Sequence, residues 1–151
     1  FGQGISALGG ENISYRNINI GATHGAGVFI GTIGAPFFTQ PTTGVTVTGG
    51  TVNGANASPE SVMGAIAVYG TYAGNTTSNV TISDLDVSNI PPSAAQNIAV
   101  WLDQGGSVSN VAFRNIAIHQ SNALPVLVSN APPESYKMSG VTLNGTPHDT
   151  P

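Results

Sequence analysis

The chain has 151 residues, only 7% of them charged, and a formal net charge of −4 from 7 acidic and 3 basic side chains. Arg16, Arg114 and Lys137 are too few for the clustered basic surface that nucleic acid requires, and no apolar run approaches the roughly 20 residues that span a bilayer. Neither nucleic acid nor a membrane is therefore expected as a partner, and the abundance of Val, Ile, Thr, Asn and Gly excludes a disordered chain in favour of an all-β one.

The chain contains no cysteine, so no redox compartment can be read from it. Five N-x-S/T triplets, at Asn12, Asn56, Asn75, Asn79 and Asn144, fit an extracellular, secreted protein. The sequence opens on Phe1 with no initiator methionine and no leader, which reads as a processed or excised piece of something longer.

The first apolar run is "GISAL" (Gly4–Leu8), followed by "NISYRNINI" from Asn12. The second pattern recurs without gaps as "GVTVTGGTV" from Gly44, "NVTISDLDV" from Asn79 and "NVAFRNIAI" from Asn110, with a shorter "GVTLNG" from Gly140. The starts are 32, 35, 31 and 30 residues apart, and a period in this range means stacked repeats. Position two reads Ile13, Val45, Val80, Val111, Val141, and position four reads Tyr15, Val47, Ile82, Phe113, Leu143. Polar or small residues stand between them, which is the period-2 alternation of a strand with one buried face. Position six reads Asn17, Gly49, Asp84, Asn115, Gly145. All are residue types that tolerate positive φ, so one bend is expected at the same place in every repeat. A short second strand follows it, as in Leu85 with Val87.

After each pair a further apolar run appears: "GVFIG" (Gly27–Gly31), "AIAVYG" (Ala65–Gly70), "IAVWLD" (Ile98–Asp103) and "PVLVS" (Pro125–Ser129). Three short strands per repeat, bent once by a left-handed residue and twice by longer loops, predict a right-handed parallel β-helix of about five rungs in one domain. A propeller blade would need four antiparallel strands and recurrent hairpin turns, and a sandwich would not keep a left-handed residue in one column. The chain enters directly on a strand, so upstream rungs, or another chain, are expected to cover that end. The tail after Gly145 reads as an exit segment.

Alternation on the third strand points Val28, Ile30, Ile66, Val68, Ile98, Val100, Val126 and Val128 inward. It points Phe29, Tyr69, Trp101 and Asp103 outward, with Leu127 and Ser129 on the last run. Tyr69 and Trp101 then sit on adjacent strands, ~4.8 Å apart. Two readings stay open: the aromatics form an exposed platform for the apolar faces of sugars, or a flanking loop such as Ala35–Gly44 buries them. Asp103, beside Trp101, is the best single acid, although a strand-end Asp also starts turns. Asp84 and Asp86 are close in sequence, but the bend accounts for Asp84. No nucleophilic triad, metal-ligand cluster or phosphate loop can be assembled, and no cofactor or metal is expected.

"THGAGVFIGTIG", with His24 and Gly25 ahead of an apolar strand, together with "GNTTSNVTISDLDVSNI" and "GSVSNVAFRNIAIHQ", resembles the polygalacturonases, the family 28 glycoside hydrolases of the pectin lyase-like superfamily. The resemblance implies a polysaccharide-degrading enzyme, or the C-terminal part of one, with His24 organising catalytic acids at the cleft edge. The family's aspartate pair falls on Gly2 and Gln3, and its Arg-Ile-Lys on Ala67, Val68 and Tyr69, so neither motif is present. The candidate residues are thus His24 and Asp103 for catalysis, and Phe29, Tyr69 and Trp101 for polysaccharide or oligosaccharide binding. A non-catalytic glycan-binding or adhesin-like β-helix, or a structural spike segment, remains the alternative.

Overall fold

The computed structural model describes residues 2–32, 40–57 and 63–150. In chain order the strands are β1 (Ile5–Leu8), β2 (Gly10–Glu11), β3 (Ser14–Ile20), β4 (Val28–Gly31), β5 (Thr42–Asn53), β6 (Ile66–Thr71) and β7 (Thr76–Ser88). They continue as β8 (Ile98–Asp103), β9 (Ser107–His119), β10 (Leu127–Ser129), β11 (Tyr136–Ser139), β12 (Thr142–Leu143) and β13 (Thr146–Pro147). A five-stranded parallel sheet runs β1-β4-β6-β8-β10, and an eight-stranded sheet carries the rest in the order β13-β12-β9-β7-β5-β2, with β3 beside β5 and β11 beside β9. The long strands β5, β7 and β9 are each followed in sequence by a strand of the five-stranded sheet, so the chain winds as a β-solenoid around one apolar core.

The repeat alignment is the physical register. Val45, Val80 and Val111 pair in one column and Tyr15, Val47, Ile82 and Phe113 in another. Buried on both sides by neighbouring strands, Val45, Val47, Ile82 and Phe113 are 0% exposed. The bend column is also as read, with Asn17, Gly49, Asp84 and Asn115 at φ of 51°, 77°, 59° and 50°. A second left-handed column stands five residues earlier, at Asn12, Gly44, Asn79 and Asn110 (φ 57°, 65°, 54°, 52°). Each long strand is therefore folded twice without leaving its sheet. Asparagine side chains bridge strands at both columns, Asn110 Nδ2 donating to Asn79 Oδ1 at 2.7 Å and Asn115 Nδ2 to Asp84 Oδ1 at 3.1 Å. Asn115→Val is expected to cost about 1–2 kcal/mol, because a β-branched residue is strained at positive φ. Equilibrium urea unfolding checks this, with Asn115→Gly staying close to wild type.

Two threonines join the sheets from inside. Thr42 and Thr77 are fully buried, and their hydroxyls donate to Gly31 O at 2.7 Å and Tyr69 O at 2.6 Å. The return from the five-stranded sheet needs no long loop here: Gly106 N donates to Asp103 O at 3.0 Å, closing a tight turn into β9.

Three expectations change. The segment that continues the columns beside β9 is "SYKMSGVTL" rather than "GVTLNG", since Tyr136, Lys137, Met138 and Ser139 pair with Val111, Ala112, Phe113 and Arg114. Gly140 (φ 66°) takes the bend beside Asn115, and its ideal Cβ would lie 2.7 Å from Asn115 Oδ1. The one-turn 3-10 segment Pro133–Ser135 shortens the connection, so the register moves by five residues. On the last run Leu127 pairs with Ile98 and Val128 with Ala99, so Leu127 faces the core and Val128 faces out. A one-residue shift exchanges the two faces.

The tail is likewise a lid on the last rung rather than an exit. Residues β13 and beyond run antiparallel to β12, with His148 N donating to Val141 O (2.8 Å), Thr150 N to Met138 O (3.1 Å) and Val141 N to Asp149 Oδ1 (3.0 Å). Behind it Met138 and Val141 are 1% and 0% exposed. The opposite end differs. Among the described residues nothing pairs with the outer edges of β1 and β3, and Ile5, Ile13, Tyr15 and Ile18 there are only partly buried.

Candidate functional site: the outer face of the five-stranded sheet

Strand register fixes what this face presents. Gly31, Tyr69 and Trp101 form one row, and Phe29, Ala67 and Ala99 the row before it. The sequence reading of in and out holds for these strands, but not the exposure inferred from it. Phe29 is 2% exposed and Tyr69 8%, and they meet edge to face with ring centroids 5.3 Å apart at 65°. Together with Ala26, Ala67 and Ala99 they form a second apolar cluster, onto which Leu8, Met63 and Trp101 pack. Of the two readings, exposure fails for Phe29 and Tyr69, which are buried, while Trp101 stays partly accessible. Small alanines leave room for the rings to fold down onto the sheet, and the apolar contact stabilises that arrangement. Of the flanking loop Ala35–Gly44, residues 35–39 lie outside the described residues.

Gly31 completes the geometry. An ideal Cβ there would stand 2.6 Å from Tyr69 O and 3.1 Å from Tyr69 Cβ, so the row closes only with glycine at that point. Met63 carries no sequence signal for its place in the cluster, whereas Leu8, Ala67 and Ala99 were legible from alternation alone.

The Tyr69 hydroxyl is buried and has no hydrogen-bond partner, and burial pushes its pKa up from 10.0 to about 12. Between those values the unfolded chain has released the proton while the folded chain still holds it. The unfolded state then binds fewer protons, and stability falls as pH rises through that window. Tyr69→Phe removes a buried hydroxyl that bonds to nothing, so no loss of stability is expected near neutral pH. The variant's melting temperature should also decline less than wild type's from about pH 9 to about pH 12, which thermal melts across that range measure.

His24 sits in a turn held from both sides. Gly25 N donates to Gly2 O at 2.9 Å, Asn56 N to Gly25 O at 2.9 Å, and Ala57 N to Thr23 O at 2.9 Å. The Thr23 hydroxyl bonds Gly25 O at 2.6 Å across the turn. The backbone is fixed while the imidazole itself is exposed. Gln3 lies alongside, its Cγ 3.3 Å from where a Gly25 Cβ would be.

Asp103 is exposed at the end of β8. Its carbonyl accepts from Tyr72 N and Gly106 N, both at 3.0 Å, and its carboxylate accepts from Gln104 Nε2 at 3.3 Å. That is the bonding of a turn-starting residue. His24 and Asp103 are not brought together. Val28 is level with Ile98 across β6, and Asp103 lies five residues further along β8. At ~3.3 Å per residue and ~4.8 Å per strand they are about 19 Å apart before the stretch from Val28 back to His24 is counted. The two residues stand at opposite ends of the sheet and cannot act on one bond.

Comparison of the chain with family models, with curated proteins and with solved structures gives no match.

Proposed function

We propose that this chain is a glycan-binding segment of a carbohydrate-active β-helix protein, taking a polysaccharide along the outer face of the five-stranded sheet. In this reading the solenoid is a right-handed parallel β-helix of about five rungs, and the protein is secreted. The carrying observation is Trp101, the aromatic ring of the row that stays partly accessible, backed by the buried Tyr69 and Phe29. An indole held rigid on a sheet offers a flat apolar surface at little conformational cost, which suits stacking on a sugar ring. Asp103, two residues on along the same strand, supplies an exposed acceptor for sugar hydroxyls.

In the glycoside hydrolase form of this reading, a preceding β-helix segment covers the open edges of β1 and β3 and brings the catalytic acids. The hydrogen bond from Gly25 to Gly2 supports it, because the positions matching the family's aspartate pair then stand beside His24. Asp103 is the one carboxylate on the strands of this sheet, which favours the non-catalytic, adhesin-like reading for the described residues by themselves, since a glycosidase needs two carboxyl groups within ~5–9.5 Å.

A glycan array comparing wild type with Trp101→Ala tests the binding face. At least tenfold weaker binding of the captured glycans is expected, with the cooperative unfolding transition retained and the melting temperature only modestly lowered, because the ring packs on the cluster but is partly accessible. Equal binding by the variant would overturn the assignment.

A further inference from the structure

The chain's three cations all lie on one face, and it is not the face just described. In the eight-stranded sheet Arg16 pairs with Thr48, Thr48 with Ser83, and Ser83 with Arg114, forming one outward column. The outward column two residues earlier contains Thr46, Thr81 and, on β11, Lys137 opposite Ala112. Arg16, Arg114 and Lys137 are all exposed. None has a side-chain hydrogen bond, and the ion pair found among the described residues is His119 with Asp86, 3.6 Å apart. No acidic residue occupies either column. Asp84, at the adjoining corner, turns its carboxylate to Asn115. A protein of net charge −4 thus keeps its whole positive charge on one flat face, between rows of hydroxyls.

We infer that this face is a second polysaccharide site, for an acidic glycan whose carboxylates are separated by uncharged sugars. Arg16 and Arg114 are three strand spacings apart, ~14 Å, with Thr48 and Ser83 between them. Lys137 reinforces the Arg114 end from the next strand. Guanidinium groups bind carboxylates through two parallel hydrogen bonds, and the accessible hydroxyls of Thr46, Thr48 and Thr81 can exchange hydrogen bonds with sugar hydroxyls, while Ser83 is buried and donates to Thr48 Oγ1. Nucleic acid is a poorer fit, because its dense phosphates need many contacts while the remainder of this molecule is acidic.

Isothermal titration with hyaluronate oligosaccharides, which carry a carboxylate on alternate sugars, tests the inference against neutral dextran and single-stranded oligothymidylate. Wild type is expected to bind hyaluronate, at least tenfold more weakly in high salt than in low. R16Q/R114Q/K137Q should lose at least tenfold in affinity with an unchanged melting temperature, since all three side chains are exposed. Trp101→Ala should bind hyaluronate as wild type does, which separates this site from the five-stranded face. The inference is overturned by undiminished binding in the triple variant, by dextran or oligothymidylate binding as tightly as hyaluronate, by no hyaluronate binding at all, or by loss of binding in Trp101→Ala.

Discussion

Phe113→Ala is expected to lower the free energy of unfolding by about 3–5 kcal/mol, the usual cost of emptying a fully packed aromatic site. Phe113 is the bulkiest of the fully buried side chains among the described residues. It sits in the column Tyr15, Val47, Ile82, Phe113, Met138, with Ile82 on one side and Met138 on the other. The neighbouring strands are tied by continuous parallel pairing, so they cannot close in to fill the space. The loss therefore includes a cavity term as well as the transfer of the ring to water. Urea unfolding should show a lower midpoint with the slope retained, because the surface exposed on unfolding hardly changes. Phe113→Leu, which keeps most of the volume, should cost well under half as much.

Gly50→Ala is expected to cost on the order of 4 kcal/mol, the upper end for a single substitution. Gly50 lies just past the bend at Gly49, with φ of 126°. An added Cβ would be driven into the Ile18 carbonyl oxygen and stand 2.6 Å from Ile18 N. The obstruction is backbone of the paired strand, so relief requires β3 to leave β5. Hydrogen exchange should show lost protection concentrated in residues 14–20, with β7 and β9 keeping theirs. Gly145→Ala is the control. Its φ is 83° but nothing lies within 4 Å of the added carbon, so it carries only the left-handed penalty of about 1–2 kcal/mol. If the two variants lose equal stability, crowding at Ile18 is not what makes glycine necessary at Gly50.

The repeat was readable because a parallel solenoid places like residues in direct contact. Val80 pairs with Val111 and Asp84 is bridged to Asn115, so the constraint on one position is repeated at the next. The first left-handed column was as visible in Asn12, Gly44, Asn79 and Asn110 as the second in Asn17, Gly49, Asp84 and Asn115. It coincides with the starts of the aligned segments, so in the sequence it looks like their boundary. The last rung misled for a different reason. "GVTLNG" imitates the repeat locally, while the true partner "SYKMSGVTL" begins on Ser135, where the earlier rungs have Asn or Gly. Only the length of the connection after β10 chooses between them, and that length is set by how the chain crosses the end of the core.

Alternation along β1, β4, β6 and β8 by itself determined which side chains leave the five-stranded sheet on its outer side, down to the pairing of Tyr69 with Trp101, whereas on β10 only the pairing with β8 showed that Val128 and not Leu127 faces out. Each strand there is a rigid period-2 element, and its neighbours hold it in register. Burial on that side was decided by the tertiary structure alone. Whether an outward ring meets water depends on what lies over it, and here Phe29 and Tyr69 pack on each other and on the sheet's alanines, with Leu8, Met63 and Trp101 against them. The sealing of one end by residues after Gly145, and the gathering of Arg16, Arg114 and Lys137 onto one face of the other sheet, were decided in the same way. Residues far apart along the chain meet there only because the strands stack.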